Sequence, residues 1–318
     1  MEKNLVTIKK LVSEEQCHDA IRDLRWNDGV YCPHCDSTQV LRRGFANKKL
    51  LQRYQCKLCE KRFDDLSETV LSGHHQPLSV WVLCLYFMGL NLPNSSIAQE
   101  LDLNTSDLHY MTEHLRNGID KKKEQITLCG EVECDEAYVT AGHKGQPAKV
   151  IAAQRKSRCR KLKGSRGRGT LVTERPPIFG MIQRNGEVRI QMLANVQQET
   201  IKPIICSTIA PGTLVFTDEY NIYNRLEQWG FEHKTVNHSA GEYARDEDGD
   251  GFCEVHSNTM EGFWSLLRPW LRPHRGISQD KLPLYLSFFE FVHNVKKRGK
   301  ALLSSLLSTL LKKTSKPK

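Results

Sequence analysis

The sequence predicts a multidomain α/β protein, and three observations carry that reading. Two Cys-x-x-Cys pairs lie near the start, a helical stretch broken by a short turn follows, and beyond residue 130 strand-like and helix-like periods alternate. At 318 residues the chain is long for one compact unit, so two or three domains are expected.

Cys32-x-x-Cys35 is followed, after twenty residues, by Cys56-x-x-Cys59. Each pair sets two thiolates on one turn, and two such turns complete the tetrahedral site that zinc favours. The plain alternative is four ordinary buried cysteines. With all four positions filled by protein, the zinc is expected to be structural, in a ribbon over residues 1–65. His34 reads as a turn residue. Cys17, Cys84, Cys129, Cys159, Cys206 and Cys253 lack partner spacing and read as core or surface thiols. Eleven cysteines, an odd number, suit a reducing compartment and a metal better than a disulfide framework.

Over 77–119 the pattern is helical: Trp81, Leu85 and Met88, then Ile97, Ala98 and Leu101, then Leu108, Met111 and Leu115. The turn 101–105 predicts a helix-turn-helix within 66–125, with Ala98 close-packed and Thr105 or Ser106 capping the second helix. That helix would offer Thr105, Ser106, His109 and Tyr110 to a DNA major groove, although any small helical hairpin has the same pattern. The charged run 120–124 reads as a linker.

Residues 126–295 read as strand (around 132–138), hairpin (178–183 and 188–193 about Asn185-Gly186), helix (197–209) and strand (213–217). A helix (222–229), a strand (232–236) and an amphipathic helix (256–268) follow. That is the element order of a ribonuclease-H-like core built on a mixed sheet. A Gly/Arg/Lys-rich insertion, 142–172, is too polar to pack on its own.

Three acids fall on different elements. Asp135 is on the first strand, opposite the face of Val132 and Cys134; Asp218 ends the strand 213–217; Glu261 is on the last helix. There Met260, Phe263, Trp264 and Leu267 share one face, and Asn258, Glu261, Ser265 and Arg268 the other. Converging carboxylates on separate elements are what two divalent ions roughly 4 Å apart require in phosphodiester cleavage. Glu133 and Glu136 read as surface or supporting groups. A lone strand Asp is more often simply solvated.

Glu133-Cys134-Asp135-Glu136-Ala137-Tyr138-Val139, Thr217-Asp218 and His256-Ser257-Asn258-Thr259-Met260-Glu261-Gly262-Phe263-Trp264 resemble motifs of the ISXO-type insertion-sequence DDE transposases, the group related to the eukaryotic Merlin elements. Those proteins also carry an N-terminal zinc ribbon, so the resemblance covers roughly residues 20–295. The His-x-Asn-x-x-Glu-x-Phe-Trp stretch is its most specific part. By that resemblance Asp135, Asp218 and Glu261 hold two Mg²⁺ or Mn²⁺ ions. Arg268 takes the place where such enzymes set Lys or Arg against DNA. Some relatives use Asn as the third ligand, which keeps Asn258 open as a contributor. The sequence departs from the family at Ala141-Gly142, where Gly-Gly is expected, and at Pro269, which should end or kink the helix. The resemblance implies cleavage at transposon ends and joining of the 3′-hydroxyl to target DNA. A structure-specific nuclease on the same fold, or a non-catalytic DNA-binding regulator, is the alternative.

The charge agrees with a polyanionic partner: 46 Lys+Arg stand against 37 Asp+Glu, a net charge of +9. Double-stranded DNA is the expected partner, both terminal inverted repeats and target. Arg158, Arg160, Lys161, Arg166 and Arg168 in the insertion are expected to hold its backbone. Two ends per element imply at least a homodimer. The apolar runs 80–90 and 301–311 are about half the roughly 20 residues of a membrane span, and residues 1–10 lack a signal peptide's apolar stretch. The expected location is the cytoplasm or nucleoid of a prokaryote, or the nucleus of a eukaryote. Residues 246–251 mimic the start of a calcium loop, but Ser257 stands where the bidentate Glu should be, so they read as an acidic surface loop. The segment 296–318 reads as an amphipathic helix with a basic end.

Overall fold

The structure, a computed structural model, describes residues 12–46, 50–152, 169–237, 242, 244–247, 249–251 and 253–313. Two compact units divide the chain: residues before 124 together with those after 298, and Glu124–Arg298.

In the first unit, helix α1 (Glu14–Arg25) precedes a three-stranded antiparallel sheet of β1 (Val40–Ala46), β2 (Leu51–Cys56) and β3 (Arg62–Asp64). Helices α2 (Leu78–Gly89), α3 (Asn94–Glu100) and α4 (Thr105–Lys122) follow. The cap of α4 lies one residue earlier than expected. Asn104, not Thr105 or Ser106, accepts from the Asp107 N–H at 2.7 Å, because its extended backbone points the side chain back at the orphan donors of the first turn. Nor does 120–124 form a linker throughout, since α4 runs on to Lys122 with Lys121 and Lys122 placed favourably at its negative end.

The second unit holds β4 (Glu131–Tyr138), β5 (Ala141–Gly142), α5 (Pro147–Ala152), β6 (Pro177–Gln183), β7 (Val188–Met192), α6 (Gln198–Thr208), β8 (Leu214–Asp218) and β9 (Glu232–Val236). Then come β10 (Ala244–Arg245), β11 (Val255–His256), α7 (Asn258–Leu271), β12 (Ile277–Ser278) and α8 (Leu282–Lys297). The last helix, α9 (Leu302–Leu311), belongs to the first unit, where it packs on α1, α2 and α4. A Cβ on Gly118 of α4 would lie 2.8 Å from Leu310 of α9 and 2.8 Å from Val70, so any larger residue there would have to displace both side chains. The segment that reads from sequence as a tail thus closes the N-terminal core.

The main sheet is mixed, in the order β7-β6-β4-β8-β9, with β4, β8 and β9 mutually parallel and β6 antiparallel to both its neighbours, β4 and β7. Val132, Cys134, Phe179, Met181 and Val215 face α6 on one side. Ala137, Ile178, Ile182, Val188 and Ile190 face α7 and α8 on the other. The expected helix over 222–229 is instead two 3₁₀ turns, Asn221–Tyr223 and Glu227–Trp229, short enough to seat Ile222, Tyr223 and Leu226 on the sheet. Pro269 does not end α7, which continues to Leu271. His256 pairs in β11 rather than opening that helix. No described helix is long and apolar enough to cross a membrane.

Candidate metal centres

The four cysteines converge in the first unit. Cys32 Sγ lies 3.6 Å from Cys59 Sγ, and Cys35 Sγ 3.5 Å from Cys56 Sγ. All four sulfurs fall within 4.8 Å of one another. A zinc tetrahedron with bonds of about 2.3 Å has edges of roughly 3.8 Å, so the donor set fits that ion. Backbone N–H groups of Leu58 and Cys59 donate to Cys56 Sγ at 3.3 and 3.5 Å. Led by the Cys59 N–H, these bonds pull the Cys56 thiol down to about 6. His34 takes no part in the cluster and lies in the turn between the first pair, as expected.

Beneath this cluster sits an acid the sequence did not single out. Asp65 is fully buried and accepts from Arg22 Nε (3.0 Å), Trp26 Nε1 (3.0 Å), Tyr54 Oη (2.9 Å) and the Gln52 N–H (3.0 Å). Four donors are what a carboxylate needs to be buried at tolerable cost. Together they tie α1 to β2.

In the second unit the alternation of β4 sends Val132 and Cys134 to one core and Glu133, Asp135 and Ala137 to the other face. Glu133 pairs with Phe216 of the parallel strand β8. Two residues further along both strands are Asp135 and Asp218, so the two acids share a face at the carboxyl ends of neighbouring strands. Open α/β sheets place ligands outside these ends. Asp218 Oδ1 accepts from the Tyr220 N–H at 3.0 Å.

Glu261 comes from α7, whose apolar side (Met260, Phe263, Trp264 and Leu267) is buried while Asn258, Glu261, Ser265 and Arg268 are exposed, as the sequence predicts. Burial first of all, with the charges of Asp218 and Glu261 adding to it, pushes the Asp135 carboxyl up to about 6. The Trp264 indole and the Glu136 N–H pull the other way. The three acids therefore share one electrostatic neighbourhood, but they stand wider apart than the cysteine sulfurs. Among the described residues only those sulfurs gather within 4.8 Å. Two ions about 4 Å apart need such a wider spread of hard oxygen donors.

Two contacts fix α7 over β4. Glu133 is not the surface group that was one expectation. It is completely buried, accepting from the Met260 N–H (2.8 Å), Thr259 Oγ1 (2.9 Å) and Arg184 Nε (2.9 Å). Arg184 also donates to the Glu254 and His256 carbonyls at 2.7 and 2.9 Å and lies 3.9 Å over the Phe216 ring. One turn further along the helix, Trp264 Nε1 donates to Asp135 Oδ2 at 2.9 Å. A signal for Glu133 existed: the i, i+2 relation that faces Asp135 toward α7 faces Glu133 there too.

The other candidates are dispersed. Arg268 lines an open cavity of about 430 Å³ with Tyr138, Thr140, Leu271 and Arg272. Thr105, Ser106 and His109 are exposed on the first turns of α4, and His109 Nδ1 lies 3.0 Å from Asn94 Nδ2 of α3. Arg158, Arg160, Lys161, Arg166 and Arg168 lie outside the described residues.

Residues 127–294 match the family model of the ISXO2-like transposase domain, and residues 12–62 that of the transposase zinc-ribbon domain. An uncharacterized protein in transposable element ISH50 of Halobacterium salinarum is 33% identical over 311 residues, covering 96% of this chain and 100% of that one. An uncharacterized transposase-like protein of Haemophilus influenzae is 30% identical over 105 residues, 32% of this chain and 77% of its own. Among solved structures, the simian T-cell lymphotropic virus intasome in complex with PP2A regulatory subunit B56 gamma gives a TM-score of 0.28 at 8% identity, covering 65% of this chain and 67% of that one. A likeness that weak carries no argument.

Proposed function

The chain belongs to the ISXO2-like insertion-sequence transposases, and from that premise we propose that Asp135, Asp218 and Glu261 are the carboxylates with which it cuts transposon ends and joins them to target DNA. The observation that supports the reading is geometric: Asp135 and Asp218 share a face at the carboxyl ends of adjacent strands, and α7, which carries Glu261, is held over β4 by Glu133 and Asp135. The family's ribonuclease-H-like core is the fold we assign to residues 126–295, supported by the mixed sheet with α7 laid across it. When bound, two Mg²⁺ or Mn²⁺ ions would activate the attacking oxygen and neutralise charge at phosphorus. The residues of the chain supply placement. Asp135 and Asp218 are fixed by adjacent strands, Glu261 by a helix clamped at Glu133, and Arg268 stands two turns along the exposed face, where it meets phosphate. Asn258 is exposed at the start of the same helix and is proposed as an accessory ligand.

The chemistry is two in-line displacements: water opens the phosphodiester at the element's end, and the freed 3′-hydroxyl attacks target DNA. Recognition falls to the other unit. There the zinc ribbon (1–65), its ion held by Cys32, Cys35, Cys56 and Cys59, adjoins a helix-turn-helix (66–125) that offers Thr105, Ser106 and His109 to terminal inverted repeats. Arg158, Arg160, Lys161, Arg166 and Arg168 of the insertion 142–172 add backbone contacts, and the segment 296–318 adds a basic end. Two ends per element require at least a dimer, acting at the nucleoid of a prokaryotic host or in the nucleus of a eukaryotic one. Incubating the purified chain and Mg²⁺ with labelled duplexes carrying the element's ends and a target plasmid tests the reading. Cleaved ends covalently joined to plasmid are expected. Cutting without joining would favour a nuclease, and binding alone a regulator.

A further inference from the structure

Trp264 is 3% exposed, and a cross-strand partner makes room for it: Asp135 pairs with Gly180 of β6, and a Cβ on Gly180 would lie 2.7 Å from Trp264 Cζ2 and Cη2 and 2.9 Å from Met260 Cε. The Cζ2–Cη2 edge of the ring therefore packs against β6 where a side chain at position 180 would stand. In that seat its Nε1–H reaches Asp135 Oδ2 at 2.9 Å. An indole N–H donates only, does not ionise at ordinary pH and binds no metal ion. One carboxylate oxygen is thereby engaged, and the carboxylate plane is set by a buried, rigid group. Metal-binding side chains held by such an outer hydrogen bond lose 10–100-fold in affinity, as an order of magnitude, when it is removed.

We infer that Trp264, admitted by Gly180, is a positioning residue that fixes the Asp135 carboxylate in its ion-binding orientation. This rests on the assignment of Asp135 as a ligand. Trp264→Phe keeps an aromatic ring but removes the donor. Gly180→Ala keeps the donor but pushes the ring away. Together the two changes restore room, because phenylalanine is the smaller ring, without restoring the bond.

The test measures Mn²⁺ binding to the full, zinc-loaded chain by electron paramagnetic resonance, with the melting temperature and Mn²⁺-dependent end cleavage alongside. All three variants are expected to bind Mn²⁺ about 10-fold or more weakly. Cleavage should recover substantially at saturating metal. The double variant should melt above Gly180→Ala while keeping the same metal defect, a separation that a purely packing role does not give. Wild-type Mn²⁺ affinity in Trp264→Phe, with affinity lost in Asp135→Asn, overturns the positioning role alone. Wild-type binding and cleavage in Asp135→Asn overturns the ligand assignment itself. Should Trp264→Phe fail to fold, Gly180→Ala and the double variant decide by the same criterion.

Discussion

The cysteine cluster and the carboxylates proposed to do the chemistry are built in opposite ways. Four sulfurs gather within 4.8 Å on two turns, steadied by backbone N–H donors and by a sheet anchored on Asp65. Nothing is left over for a substrate, as suits an ion that holds a fold together. The acids come instead from the ends of β4 and β8 and from α7 and leave Glu261 exposed, and burial, with the charges of Asp218 and Glu261 beside it, raises the cost of ionising Asp135. That arrangement is unfavourable until charge is neutralised, as suits ions that do work. One region directs its chemistry to stability; the other holds strain that its supporting residues must carry.

The largest effect should come from the first region. Purified protein is expected to carry one Zn²⁺ per chain by elemental analysis, and Cys56→Ser should lose it. Apparent zinc-site energies of about 10–16 kcal/mol then leave the ribbon unfolded, seen as rapid proteolysis within residues 12–65. A folded ribbon with no zinc would break the comparison. A smaller loss of the same sign is expected for Asp65→Ala. Removing a buried acid that serves four donors should cost about 3–5 kcal/mol, read as earlier ribbon unfolding in a urea titration.

The second region should respond with the opposite sign. The Asp135 carboxyl, raised to about 6, is favoured in its protonated form by the fold. Its ionisation therefore costs stability above about pH 6, and the cost fades as pH falls toward the ordinary carboxylate value near 4. In magnesium-free buffer at pH 8, Asp135→Asn should stabilise the protein by up to roughly 3 kcal/mol, with the gain shrinking by pH 5. The Asn oxygen still accepts from Trp264, so packing is kept. A destabilised Asp135→Asn protein at pH 8 would show that the acid is held comfortably. Smallest per residue is the DNA term: changing Arg158, Arg160, Lys161, Arg166 and Arg168 to Ala should flatten the salt dependence of binding by about 0.9 in log–log slope for each phosphate that is no longer neutralised.

The difference between the regions also explains what could be read from sequence. Cysteine spacing alone identifies the first centre, because both ligands of each half lie on one turn. Strand alternation and helix period place Asp135, Asp218 and Glu261 on their elements and faces, since these periods are local. What stayed hidden is what depends on residues distant in the chain. Asp65 collects donors from two separate segments, α1 and β2, Glu133 meets Thr259 and Met260, and Trp264 needs Gly180 beneath it. The 3₁₀ turns over 221–229 were hidden too, because their apolar spacing resembles that of a helix until the sheet beneath constrains it.

The central claim is that the second region's acids do the chemistry while DNA is held elsewhere. Its most direct test measures Mg²⁺-dependent cleavage and strand transfer, beside end binding, for Asp135→Asn, Asp218→Asn and Glu261→Gln. Each change should lower both reaction rates about a thousandfold or more, corresponding to roughly 4 kcal/mol at the transition state, with end binding close to wild type. Asn258→Ala should be milder than Glu261→Gln, and the reverse ranking would move the third ligand to Asn258. Full activity in Asp135→Asn or Asp218→Asn would contradict the account.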